Sequence, residues 1–321
     1  MKLNNIVVAG AGVFGTAIAE RLSWNRENNV TLHTIELDVE KDINENHKNS
    51  KYFPTRFLNS SIKATSNDDV FENAEIIMLV LPSKVIVPFS ERIRNKAKGN
   101  PLVINLAKGM SDEGAFITED IPFERTASMK GPSFAIETIN GFPTSFTFGG
   151  KKSDFDYFKN TILPETGFTL DYSEDVRAVE LLSILKNMYA IAIGLVSGKY
   201  NSPNVDFLVY TKAVNEMREL LAMYGCERDV IFRYAGIGDL GLTALNDLSR
   251  NRTFGMLIGK GFAFNSDTNS STVIEGQRTI KLIGEFTREK GAGDKFPLVQ
   301  ALYSLLYEGS SLNDYIIRVL A

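Results

Sequence analysis

Short apolar runs divided by polar turns fill the first half of the chain, and apolar residues at helical spacing fill the second. The run at residues 6–8 predicts a strand, and the apolar pattern after Gly15 predicts a helix. A second strand is predicted over 30–35, ending at Glu36, and the polar stretch 38–61 reads as irregular. A strand over 62–65 follows, with Asn67-Asp68-Asp69 placed to cap a short helix. Residues 74–81 are almost unbroken apolar, as expected of a central parallel strand buried on both faces. Pro82-Ser83 ends it. Further strands are predicted over 102–106, 126–129, 144–148 and 168–172, with a helix over 154–161. From Asp175 the period becomes helical, over 175–196, 205–224, 249–259, 274–290 and 297–307.

The first strand and helix are joined by Gly10-Ala11-Gly12-Val13-Phe14-Gly15, the spacing GxGxxG. Strand, glycines and helix in that order predict a dinucleotide site. Gly10 permits a tight turn, Gly12 lets backbone amides approach a pyrophosphate, and Gly15 lets helix and strand touch. Glu36 follows Gly15 by 21 residues, where a carboxylate accepts hydrogen bonds from ribose hydroxyls and repels a 2'-phosphate. NAD is favoured, with NADP possible. The fold class expected is an α/β Rossmann-type doubly wound sheet domain, residues 1–174, followed by an all-α C-terminal domain, residues 175–321. Pro82, Lys108 and the segment after 126–129 fall at the carboxyl edge of the sheet, where such folds bind ligands.

The 321 residues are enough for two domains, and 44% hydrophobic with 23% charged residues describes a globular chain. A formal charge of -4 does not suit nucleic acid, and any anionic ligand must be held by local cations. No signal-peptide pattern opens the chain and no apolar run approaches the length of a membrane span, so a cytoplasmic protein without stable membrane insertion is expected. The single Cys226 reads as a small core residue. With only His33 and His47, no metal site is expected, and a general base must be something other than histidine.

Lysine is the remaining candidate. Lys186 interrupts a helix that is apolar around most of its circumference, and burial there, reinforced by a second cation such as Lys108, would push it toward the neutral base. The alternative is a side chain that reaches out to water. The glycines around Asp239 suggest a backbone approached by ligand. Ser249-Arg250-Asn251-Arg252 offers a guanidinium fork, an amide and a hydroxyl to a phosphate, or else a solvated helix start.

From Val8 to about Gly309 the chain resembles the NAD(P)-dependent glycerol-3-phosphate dehydrogenase family. The resemblance rests on GAGVFGTA at Gly10, LAKG at Leu106, GPSFA at Gly131, VELLSILKNMYAIAIG at Val179, AGIGDLGLT at Ala235, LSRNRTFG at Leu248 and VIEG at Val273. It implies interconversion of sn-glycerol 3-phosphate and dihydroxyacetone phosphate, supplying phospholipid synthesis. Lys186 matches the proton acceptor, and Lys108 a contact to both substrate and cofactor. Ser133 and Asn187 match substrate positions, and Asp239 and Thr243 would orient the lysines and the substrate. Ser249, Arg250 and Asn251 would hold the phosphate. Val13, Phe14, Ala135, Val273 and Glu275 match cofactor positions, and Arg250 is shared with the cofactor.

Phe14 stands where bacterial members commonly carry tryptophan, and Thr34-Ile35-Glu36 lacks their basic residue, which again favours NAD. Residues 197–204 replace a Gly-rich stretch, and Ala244 a cysteine. A dehydrogenase of another phosphorylated polyol or sugar, or a nucleotide-sensing module without turnover, are the competing readings. A homodimer is expected from the apolar helices of the second domain.

Overall fold

A computed structural model describes residues 3–109, 116–262 and 275–321. It divides into two compact units, Met1–Glu180 and Leu181–Ala321.

The first unit is built on eight strands: β1 (Asn4–Ala9), β2 (Asn28–His33), β3 (Lys63–Thr65), β4 (Ile76–Leu79), β5 (Leu102–Asn105), β6 (Thr126–Lys130), β7 (Thr144–Gly149) and β8 (Phe168–Ser173). Their order is β3-β2-β1-β4-β5-β6-β7-β8, parallel except where β7 meets β6. The order reverses direction after β1, which puts the fingerprint turn at the topological switch point. Alternation along each strand feeds two cores. Ile6, Val8, Ile76, Met78, Leu102 and Ile104 enter one. Val7, Ala9, Ile77, Leu79 and Val103 enter the other. This two-sided burial is why the strands read as continuous apolar runs.

Among the described residues, six α-helices accompany the sheet: α1 (Val13–Leu22), α2 (Leu37–Asn46), α3 (Ser83–Arg94), α4 (Ile117–Asp120), α5 (Ala135–Ile139) and α6 (Lys152–Tyr157). Buried Arg21 of α1 donates to the carbonyls of Thr166, Thr138 and Phe142 at 2.7, 3.2 and 3.0 Å, tying the far strands to the nucleotide-side helix. The polar stretch 38–61 is not irregular throughout, because α2 occupies its start. Only Val39 and Ile43 of α2 are buried, and His47 closes the helix at φ 53°. Two apolar residues one turn apart are enough to dock it, at about 1.5–3 kcal/mol each.

The long helix α7 (Val176–Tyr200) begins in the first unit. The first unit ends at Glu180 rather than at 174 because this helix's opening turn packs on the sheet. A Cβ on Gly149 would lie 3.0 Å from Val179, and Glu180 accepts from Asn105 Nδ2 at 2.5 Å. By length and composition α7 is apolar enough to cross a membrane, which corrects the expectation that no stretch approaches that length. Its apolar 18-residue window is wholly buried in the protein, as in a core helix.

Among its described residues the second unit is all-helical: the rest of α7, then α8 (Pro203–Met223), α9 (Asp239–Ala244), α10 (Arg250–Gly259), α11 (Glu275–Glu289), α12 (Pro297–Tyr307) and α13 (Leu312–Leu320). Helices α7 and α10 cross at backbone contact. Added Cβ atoms at Gly194 and Gly198 would lie 2.3 Å from the carbonyl oxygens of Arg252 and Met256. Those at Gly255 and Gly259 would lie 2.2 and 2.1 Å from Ile191 and Leu195 oxygens. Four glycines, spaced by one turn on each helix, thus set the height at which α10 presents its first residues.

Candidate active site

In the first unit the fingerprint glycines have separate tasks. Gly10 adopts φ 110°, its N–H donates to the His33 carbonyl at 2.9 Å, and a Cβ there would lie 2.4 Å from the Val80 oxygen. A Cβ on Gly15 would lie 1.8 Å from the Gly10 oxygen, so the helix touches the turn. Nothing lies within 4 Å of a Cβ at Gly12, which caps α1. That open space at a helix N-terminus fits a pyrophosphate. Val13 beside it is 45% exposed, and Phe14 packs partly buried on the core.

Glu36 stands two residues beyond the expected register, because β2 ends at His33 and Glu36 caps α2. Its carboxylate takes the Tyr52 hydroxyl at 3.0 Å and an ion pair from Lys51. The same turn carries buried Asn49, whose Nδ2 donates to the Ala11 carbonyl at 2.9 Å and to Thr16 Oγ1 at 2.8 Å. Fingerprint and Glu36 are therefore braced by one segment. Its Lys51 and Tyr52 lie in the stretch taken as irregular and carry no sequence signal of their own. Exposed Pro82 caps α3, Lys108 lies three residues past β5, and Ala135 opens α5. Ser133 Oγ donates to the Gly131 carbonyl at 3.0 Å.

In the second unit Lys186 does not reach water. Its side chain is 4% exposed, and its Nζ donates to Asp239 Oδ1 at 2.5 Å and to Thr243 Oγ1 at 2.9 Å. Asp239 opens α9 and Thr243 lies one turn later, so both project from one face. Burial alone favours a neutral amine, as the sequence suggested, but a carboxylate in contact favours the ammonium. Gly236 serves the protein's own packing, since a Cβ there would lie 1.9 Å from the Ile231 oxygen.

The residues expected to hold an anion lie at the first turn of α10. Ser249 is its cap and accepts from the Arg252 N–H at 3.3 Å, while Arg250 is exposed beside it. Asn251 Oδ1 accepts from the Gly276 N–H at 3.2 Å, and Asn187 Nδ2 donates to Glu275 at 3.0 Å. Val273 lies outside the described residues. Arg252, offered to a phosphate by the sequence as the last residue of Ser249-Arg250-Asn251-Arg252, is held instead by the protein's own groups. It is buried and donates to the Ala244 carbonyl at 2.7 Å, Ser197 Oγ at 3.0 Å and Asp247 at 3.2 Å, anchoring the turn that exposes Arg250. Its only signal was the second arginine of Ser-Arg-Asn-Arg. Helix N-terminus and guanidinium together suit a phosphate. Arg250→Ala is expected to raise the KM for a phosphorylated substrate about 10- to 100-fold, the worth of a hydrogen bond to a charged group. An unchanged KM in steady-state kinetics would remove Arg250 from the site.

A dinucleotide fold in one unit, and in the other a buried lysine and a helix start bearing an exposed arginine, define a nicotinamide-dependent dehydrogenase class. Two family profiles match the chain, described as NAD-dependent glycerol-3-phosphate dehydrogenase N-terminus over residues 5–156 and C-terminus over residues 175–317. Among curated relatives, the glycerol-3-phosphate dehydrogenase [NAD(P)+] of Methanothermobacter thermautotrophicus is 33% identical over 319 residues, 97% of this chain and 96% of that one. That of Neorickettsia sennetsu is 31% identical over 90% of this chain and 86% of its own. The crystal structure of a glycerol-3-phosphate dehydrogenase from Coxiella burnetii superposes with TM-score 0.86 at 24% identity, covering 100% of this chain and 99% of the other, and shares the fold. The chain belongs to the NAD-dependent glycerol-3-phosphate dehydrogenase family.

Proposed function

We propose that the chain interconverts sn-glycerol 3-phosphate and dihydroxyacetone phosphate in the cytosol, prefers NAD to NADP, and supplies glycerol 3-phosphate for phospholipid synthesis. The observation that carries the reading is the buried Lys186–Asp239–Thr243 cluster in a chain of this family. When bound, the nicotinamide supplies or accepts the hydride at C2 of the substrate. In oxidation Lys186 Nζ takes the C2 hydroxyl proton, and in reduction it returns one to the carbonyl oxygen. Asp239 stabilises the ammonium form, and Thr243 keeps Nζ aimed. Arg250, Ser249 and Asn251 hold the phosphate, so binding energy far from C2 orients the reacting carbon. Asn187 and Ser133 complete the substrate contacts, and Lys108 touches substrate and cofactor.

The open turn at Gly12, flanked by Val13 and Phe14, supports dinucleotide binding, and the carboxylate of Glu36 supports NAD. Pro82, Ala135, Glu275 and Val273 belong to the cofactor set of this reading. The second unit leaves Phe207 and Leu208 of α8 exposed, apolar surface that favours a homodimer.

Absorbance of the reduced nicotinamide, followed with dihydroxyacetone phosphate and either NADH or NADPH, tests substrate and cofactor together. The reading expects turnover with both and a higher kcat/KM with NADH. Preference for a larger ketose phosphate at saturating cofactor would overturn the substrate. Preference for NADPH would overturn the role of Glu36.

A further inference from the structure

Lys130 is the last residue of β6 and 1% exposed, and the chemistry above does not use it. Its Nζ donates to the main-chain carbonyl of Asn105 at 2.8 Å. Asn105, fully buried at the end of β5, donates through Nδ2 to Glu180 Oε1 at 2.5 Å and accepts through Oδ1 from the Ala107 N–H at 2.9 Å. Glu180 is 2% exposed, and its other oxygen accepts from the Thr118 N–H at 3.3 Å. A buried ammonium and a buried carboxylate thus meet on one asparagine.

Burying two opposite charges is costly even when they are well partnered, and apolar residues of like volume would close the sheet at least as well. Charge here therefore has a return other than stability, and its location indicates which. The Asn105 side chain bonds its own backbone two residues on, the turn that leads the chain out of β5 to Lys108. The ammonium grips the carbonyl of that asparagine and the carboxylate grips its amide. Rotation of the Asn105 side chain would break the Glu180 contact together with the turn, while Lys130 fixes the main chain of the same residue.

We propose that Lys130 and Glu180 are positioning residues that act through Asn105 to fix the direction in which the turn after β5 presents Lys108. The inference rests on the reading of Lys108 as a substrate contact. Mispositioning of a contact by a fraction of its bond length lowers kcat/KM while folding and cofactor affinity persist.

The test compares Lys130→Met, Glu180→Gln and Lys108→Ala with the parent enzyme in kcat/KM for dihydroxyacetone phosphate, NADH binding by fluorescence and thermal midpoint. Glu180→Gln keeps the shape and loses the charge and one of two acceptor oxygens, so it serves should Lys130→Met fail to fold. The state of Lys108 is read from the NMR signal of its amine after reductive methylation with 13C-formaldehyde, assigned by its loss in the Lys108 variant. Lys130→Met and Glu180→Gln are each expected to lower kcat/KM about 10- to 100-fold, to leave NADH binding near the parent's and to move the Lys108 signal. Parent-like kcat/KM in either folded variant, or an unmoved Lys108 signal, would overturn the proposal. If Lys108→Ala is inert toward turnover, the reading of Lys108 itself has failed. If Lys108→Ala is inactive and the other two are active, only the positioning role has failed.

Discussion

Replacing Lys186 with alanine is expected to lower turnover of dihydroxyacetone phosphate by about 10²–10⁴, the contribution of one well-placed proton carrier, with NADH affinity little changed. The same change costs stability. Asp239, 1% exposed, loses the ammonium at 2.5 Å and is left as an uncompensated buried charge. Breaking such a pair from one side costs about 3–5 kcal/mol. Loss of activity in the single variant therefore has two possible sources, and Lys186→Ala/Asp239→Asn separates them. Removing the orphaned charge should return much of the stability in urea denaturation and none of the turnover. A double variant that regained turnover would show that Lys186 serves the fold and carries no proton.

The second large effect concerns stability and pH. Glu216 of α8 is buried beneath the start of α12, accepting from the Leu298 and Val299 N–H groups at 2.7 and 3.3 Å and from the Tyr189 hydroxyl at 3.0 Å. Burial pushes its carboxyl up to about 7, against these hydrogen bonds, which pull it down. Its proton is thus held more tightly in the folded chain than in the unfolded one, where the carboxyl titrates near 4.5. The stabilisation is complete below the unfolded value and is lost as pH rises through about 7. The loss amounts to about 3 kcal/mol. Glu216→Gln is neutral throughout, so its stability should hold in the window where the parent's declines. Parallel stability curves for the two proteins between pH 4.5 and 8 would contradict this assignment.

Patterning made the sheet legible because strands buried on both faces cannot hide. Residues 74–81 are apolar since Ile76 and Met78 enter one core and Ile77 and Leu79 the other. Helices docked by few residues were another matter. Helix α2 offers only Val39 and Ile43, and its left-handed cap is His47 rather than glycine. Helix α3 buries Ile86, Phe89, Ser90 and Ile93 at helical spacing, yet Pro88 inside it breaks the pattern that periodicity reads. Helix α13, also absent from the predicted elements, is announced by its capping box, in which Ser311 and Asp314 bond each other's backbone.

For the site, a cation on an oily helix was visible as an anomaly at Lys186. Its partners were not deducible from spacing, because Asp239 is 53 residues away and only the fold brings it near. Lys51, Tyr52, Lys130 and the anchoring role of Arg252 escaped for the same reason. Each is an ordinary polar residue in sequence and becomes specific only through what the folded chain sets against it.

The most direct measurement is rescue of Lys186→Ala by added primary amines during oxidation of glycerol 3-phosphate. If Nζ carries the C2 hydroxyl proton, small amines entering the space it vacates should restore turnover in proportion to their unprotonated concentration, and more strongly as their basicity rises. A folded, NAD-binding variant whose rate ignored every amine at every pH, or one that needed none, would contradict the account.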